Sequence, residues 1–77
     1  MSVSSVQSTD TVYTVRVDDA SSTVTYVGEA ATASSEAAPV WRIKKLNTSG
    51  TVLAISWADG NTYFDNVWAD RASLGYS

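Results

Sequence analysis

The chain has 77 residues with no Cys and no His, and five Lys+Arg against eight Asp+Glu give a net charge of −3. That size holds one domain with a small core, and the inventory excludes disulfides, thiolate or imidazole metal ligands and any His-based general base. The acidic balance disfavours phosphate-backbone binding, no apolar run is long enough to span a membrane, and residues 1–5 lack the basic and apolar regions of a secretion signal.

Twelve Ser, nine Thr, ten Val and ten Ala make up more than half of the chain, with only three Leu, one Phe and one Met. The β-branched content favours strands over a helical core. Residues 1–10 are Ser-rich and aperiodic. They form an arm with no packing surface of its own, expected to lie against a neighbouring subunit. Residues 11–17 alternate Tyr13, Val15 and Val17 with Thr14 and Arg16, a strand pattern. After the turn residues Asp18, Asp19, Ala20 and Ser21, a second strand over 22–28 carries Val24 and Tyr26. A four-residue loop sets Val15 opposite Val24 and Tyr13 opposite Tyr26.

Residues 29–39 are Ala/Ser/Thr-rich and predict a long loop that ends where Pro39 starts the next strand. Strands over 40–47 and 51–58 flank Thr48, Ser49 and Gly50. A three-residue loop with Gly in the left-handed position sets Ile43 opposite Ile55 and Trp41 opposite Trp57. Asp59, Gly60 and Asn61 form a turn, 62–64 a short strand, and Asp65 an N-cap for a helical turn over 66–72. Leu74 and Tyr76 form an apolar tail expected to dock.

The expected fold is all-β: a small antiparallel sandwich or barrel of four to five strands with a short C-terminal helical turn. It comprises a single domain over 11–77 behind the arm. Its expected core is Tyr13, Val15, Val24, Tyr26, Trp41, Ile43, Leu53, Ile55, Trp57, Phe64 and Trp68, since aromatics dominate small cores. An aromatic platform for sugar requires a Trp on the outer face. Asp59, Asn61 and Asp65 have alternate spacing that suits Ca²⁺ ligands, but turn and cap roles explain the same residues. Adjacent carboxylates at Asp18 and Asp19 point apart into solvent. The Ser residues have no His to activate them, so neither catalytic residues nor cofactor or metal sites are expected. Arg42 and Lys44, on the face opposite Trp41 and Ile43, form a basic stripe suited to an acidic neighbour.

The stretches Val24-Thr25-Tyr26-Val27-Gly28-Glu29-Ala30, Val40-Trp41-Arg42-Ile43-Lys44-Lys45 and Ser56-Trp57-Ala58-Asp59-Gly60-Asn61 carry a resemblance. So does Phe64-Asp65-Asn66-Val67-Trp68-Ala69-Asp70-Arg71-Ala72-Ser73-Leu74-Gly75-Tyr76. Together they resemble a group of small, mostly uncharacterised proteins of tailed bacteriophages. The resemblance implies a virion component, made in the host cytoplasm and non-enzymatic. Its implied partners are major capsid or tail subunits and further copies of itself, with neither nucleic acid nor membrane. A capsid decoration protein comes first, and a tail or connector component or a glycan-binding module is the alternative. Expected contacts are Val3 and Val6 of the arm, Arg42 and Lys44, and the loop over 29–39.

Overall fold

The computed structural model describes residues 12–77. The arm, with Val3 and Val6, lies outside the described residues. Four strands run as an antiparallel meander: β1 (Tyr13–Asp18), β2 (Val24–Ala31), β3 (Pro39–Ser49) and β4 (Val52–Trp57). A short β5 (Asn66–Val67) pairs with the N-terminal end of β3, and a 3-10 helix, Trp68–Ser73, follows it. The all-β antiparallel class, the strand number and the C-terminal helical turn are as expected, and the sheet is not closed. Residues 62–64 form no strand, and Asp65 does not cap the helix. The residue before the helix is Val67, with no side-chain cap, because Asn66 and Val67 are drawn into pairing with Trp41 and Pro39.

Both expected hairpin registers shift by an odd number of residues, and an odd shift exchanges the faces of a strand. In the first hairpin Tyr13 pairs with Ala31 and Asp18 with Tyr26. The connection is longer than the turn residues alone require. Ser21 organises it by accepting at Oγ from the Val24 and Thr23 amides, at 3.1 and 3.3 Å, a local alternative to strand pairing. In the second, Ser49 pairs with Val52, Leu46 with Ile55 and Lys44 with Trp57. The turn is therefore Gly50 and Thr51 alone. Gly50 has φ +61°, and a leading glycine with positive φ suits the two-residue hairpin whose twist matches its strands. Ser49-Gly50-Thr51 serves either turn chemically, so local sequence did not choose between them.

The registers place Tyr26, Gly28, Ala30, Trp41, Ile43 and Ala58 on one face. That face is covered. Trp68 packs on it with its ring 5.9 Å from that of Trp41, and Leu74 and Tyr76 pack beside it. The seat for Trp68 is Gly28. A Cβ there would lie 2.5 Å from Trp68 Cε3 and 3.2 Å from Trp41 Cε3. Trp41, Ala30 and Ala58 are fully buried, and Ile43, Trp68 and Tyr26 nearly so. The tail docks as expected: Ala58 bridges Tyr76, and Trp57 and Ser77 exchange backbone hydrogen bonds at 2.9 and 3.1 Å.

Polar links fasten the rim of this cover. Arg71 donates to Asp18 at 2.9 Å and to the Trp68 carbonyl at 3.1 Å. The segment after β2 is shorter than expected, since Glu29, Ala30 and Ala31 belong to the strand. Nor is it free. The Trp41 indole donates to the Ser35 carbonyl at 2.8 Å, the Ala69 amide to the Glu36 carbonyl at 3.0 Å, and Arg16 to the Glu36 carboxylate at 3.0 Å.

Half of the expected core is displaced. Tyr26, Trp41, Ile43 and Trp68 are buried, and Val24 packs against them partly buried. Tyr13, Val15, Leu53, Ile55 and Phe64 are exposed, and Trp57 is half-buried. The register shifts carry the strand residues among them to the other face, where no described segment covers the aliphatic ones.

Two measurements test this packing. Gly28→Ala destabilises the fold by about 1–3 kcal/mol, the range for overpacking, and perturbs Trp fluorescence in urea unfolding. Gly75→Ala, which meets nothing within 4 Å, stays within about 0.5 kcal/mol of wild type. Burial pushes the Tyr76 phenol up to about 12, with Tyr26 adding to the effect. The neutral phenol, which donates to the Arg71 carbonyl at 2.8 Å, is thus favoured by folding. Its contribution holds below the ordinary tyrosine value of 10.0 and is lost as pH rises through about 12. The urea midpoint therefore falls over that interval, and Tyr76→Phe flattens this part of the decline.

Candidate interaction surface

The opposite face is built by the other half of each strand's alternation. Successive cross-strand rows read Val15, Glu29 and Arg42; then Val17, Val27, Lys44 and Trp57; then Thr25, Leu46 and Ile55; then Thr48 and Leu53. Val17 is 64% exposed, Ile55 54%, Leu53 52% and Val15 48%. Val15 and Val17 line the β1 edge of this face and Leu53 and Ile55 its β4 edge, and aliphatic side chains this exposed on one sheet face mark a surface for a partner.

Two cations stand in this apolar field. Arg42 donates to Glu29 Oε1 through Nε at 3.2 Å and Nη2 at 2.8 Å. Its guanidinium also lies 4.6 Å from the Phe64 ring centre, 5.7 Å from Tyr13 and 5.8 Å from Trp57. Tyr13 and Phe64 stack at 5.6 Å with an interplanar angle of 18°. Arg42 is thus the hub that folds Phe64 onto the open face. Lys44 lies 5.6 Å from the Trp57 ring, between Val27 and Trp57 in its row. No carboxylate among the described residues pairs with Lys44, whereas Arg16, Arg42 and Arg71 each have one.

The basic stripe is where the sequence placed it, on the face opposite Trp41 and Ile43. Its surroundings were not foreseen, since Trp57, Leu53 and Ile55 were assigned to the other side. The signal lay in the ambiguous turn: reading it as Gly50 and Thr51 puts Trp57 beside Lys44. The side chains of Asn61 and Asp65 make local hydrogen bonds. Asn61 Oδ1 accepts from the Tyr63 amide at 3.0 Å, and Asp65 Oδ1 from Asn66 at 3.2 Å. Among the described residues no acidic cluster of metal-binding size occurs, no pocket forms, and no helix is long and apolar enough to cross a membrane.

If Arg42 is the hub, Arg42→Ala costs about 1–2 kcal/mol, the sum of a part-buried ion pair and one cation–π contact. A double-mutant cycle with Phe64→Ala returns a coupling of about 0.5–1 kcal/mol. Additive single effects in urea titrations would rule the hub out. Comparison of the chain with protein-family models, with curated proteins and with solved structures finds no match.

Proposed function

We propose that this chain is a non-enzymatic structural component of a tailed-phage virion, a capsid decoration protein that docks through its open sheet face and braces shell subunits. The observation that supports docking is the exposure of Val15 and Val17 on β1 and of Leu53 and Ile55 on β4, on the face that carries Lys44, which pairs with no carboxylate among the described residues. A cation in an apolar field suits a partner strip that is apolar with an acidic group at its centre. Many copies on a repeating shell would make weak single contacts sufficient. The phage setting rests on the resemblance over residues 15–77, and a tail or connector position uses the same face.

One observation favours a second reading, a glycan-binding module. Trp57 stands half-buried on the open face rather than in the core, and an aromatic ring beside the hydrogen-bond donors Arg42 and Lys44 is a combination that suits a sugar.

Purified particles of the encoding phage decide between these. On the decoration reading, mass spectrometry finds the chain in many copies, and Val17→Lys lowers its occupancy at least about tenfold while far-UV circular dichroism stays unchanged. Absence from particles of a chain abundant in infected cells overturns that reading. Glycan-array binding lost in folded Trp57→Ala would then support the second.

A further inference from the structure

We propose that the outer edge of β4 pairs antiparallel with the same edge of a second copy, two-fold symmetric about Ala54, joining two sheets into one. This goes beyond the docking reading and does not depend on what covers the open face.

The direction of the backbone groups along β4 follows from its bonds. The Ala58 amide donates inward to Ile43 at 2.9 Å. Trp57 turns outward, donating to Ser77 and accepting from it, and the Asp59 amide donates outward to Gly75 at 2.8 Å. Antiparallel strands alternate these directions residue by residue. Val52, Ala54 and Ser56 therefore bond to β3, while Leu53 and Ile55 present N–H and C=O outward, in line with Trp57. No described residue takes them up.

The free edge is bounded at both ends. Ser77 occupies Trp57 on one side, and the turn at Gly50 and Thr51 closes the other. Residues 52–56 remain, and Ala54 is their midpoint. A two-fold axis there sets Leu53 of each copy against Ile55 of the other and exchanges about four backbone hydrogen bonds. The same register brings Leu53 and Ile55, 52% and 54% exposed, together as cross-strand apolar pairs.

Charge selects a copy of this edge as the occupant. β4 reads Val-Leu-Ala-Ile-Ser-Trp, with no charge and no Pro, so none of the usual deterrents to edge pairing is present. The strand meets itself without like charges opposed. The other sheet edge, β1, carries Arg16 and Asp18 and is guarded.

Sedimentation of the full chain over a concentration series tests this. Wild type converts from 8.2 kDa to about twice that mass. Ile55→Pro removes an outward N–H in each copy, which edge strands tolerate, and raises the dissociation constant roughly a hundredfold. Ile55→Lys also dissociates the pair, and Leu53→Glu/Ile55→Lys restores it by setting opposite charges across the axis. Hydrogen exchange at the Leu53 and Ile55 amides slows as concentration rises. A chain that stays monomeric at about 1 mM overturns the proposal, as do these two amides being protected at every concentration, which means the chain fills its own edge. So does a dimer broken by Val17→Lys but kept in Ile55→Pro, which means face-to-face stacking. Each result stands whether or not the chain is found on particles.

Discussion

The placement of Trp68 on Gly28 governs the rest of the molecule. A chain of this length affords one layer of cover for one sheet face, and the indole ring packs there against Gly28 and Trp41. It reaches the sheet only because β2 has no Cβ at that point. Trp41 then tilts against it, Tyr76 follows onto Tyr26 with ring centres 5.7 Å apart, and the tail pairs with Trp57, Ala58 and Asp59 at the end of β4. Arg71, just beyond Trp68, is carried to Asp18, which ties the helix to β1. Once this face is covered, the described residues leave the opposite one open.

That division explains the distribution of side chains. On the covered face β1 contributes Thr14, Arg16 and Asp18, of which Arg16 bonds Glu36 and Asp18 bonds Arg71 at the rim of the cover. Its Val15 and Val17 go to the open side. β4 does the same, with Ala54 and Ser56, and Ala58 just beyond it, toward the cover and Leu53, Ile55 and Trp57 away from it. The larger apolar groups of both edge strands thus lie where no described segment buries them. A soluble monomer gains nothing from that arrangement, because exposed aliphatic area is unfavourable in water. A component that joins an assembly gains the burial on docking.

The sequence made the strands legible, since alternation is a local property and Pro39, the Ser-rich turn and Gly50 punctuate it. It also made the central core legible: Tyr26, Trp41, Ile43 and Trp68 were named and are buried. It misplaced Val15, Leu53, Ile55 and Trp57 because alternation shows two faces without labelling them. Pairing apolar residue with apolar residue across each hairpin assumes that every apolar face is covered. In β1 and β4 that assumption fails. The Ala/Ser segment after β2 was misjudged for a different reason. Besides the Arg16–Glu36 ion pair, its anchors are backbone carbonyls of Ser35 and Glu36, and carbonyls have no signature in a sequence.

By itself, then, the sequence determined the class, the strand count, the aromatic centre and the absence of Cys and His chemistry, all of which depend on composition and short-range period. Only the tertiary structure decided the registers, and with them which face is sealed and which edge and face the described residues leave open. The physical reason is that a strand's side chains alternate with period two, so a turn one residue shorter or longer reverses the faces at no local cost. The choice falls to a contact distant in sequence: whether a ring at position 68 finds room above a glycine at position 28.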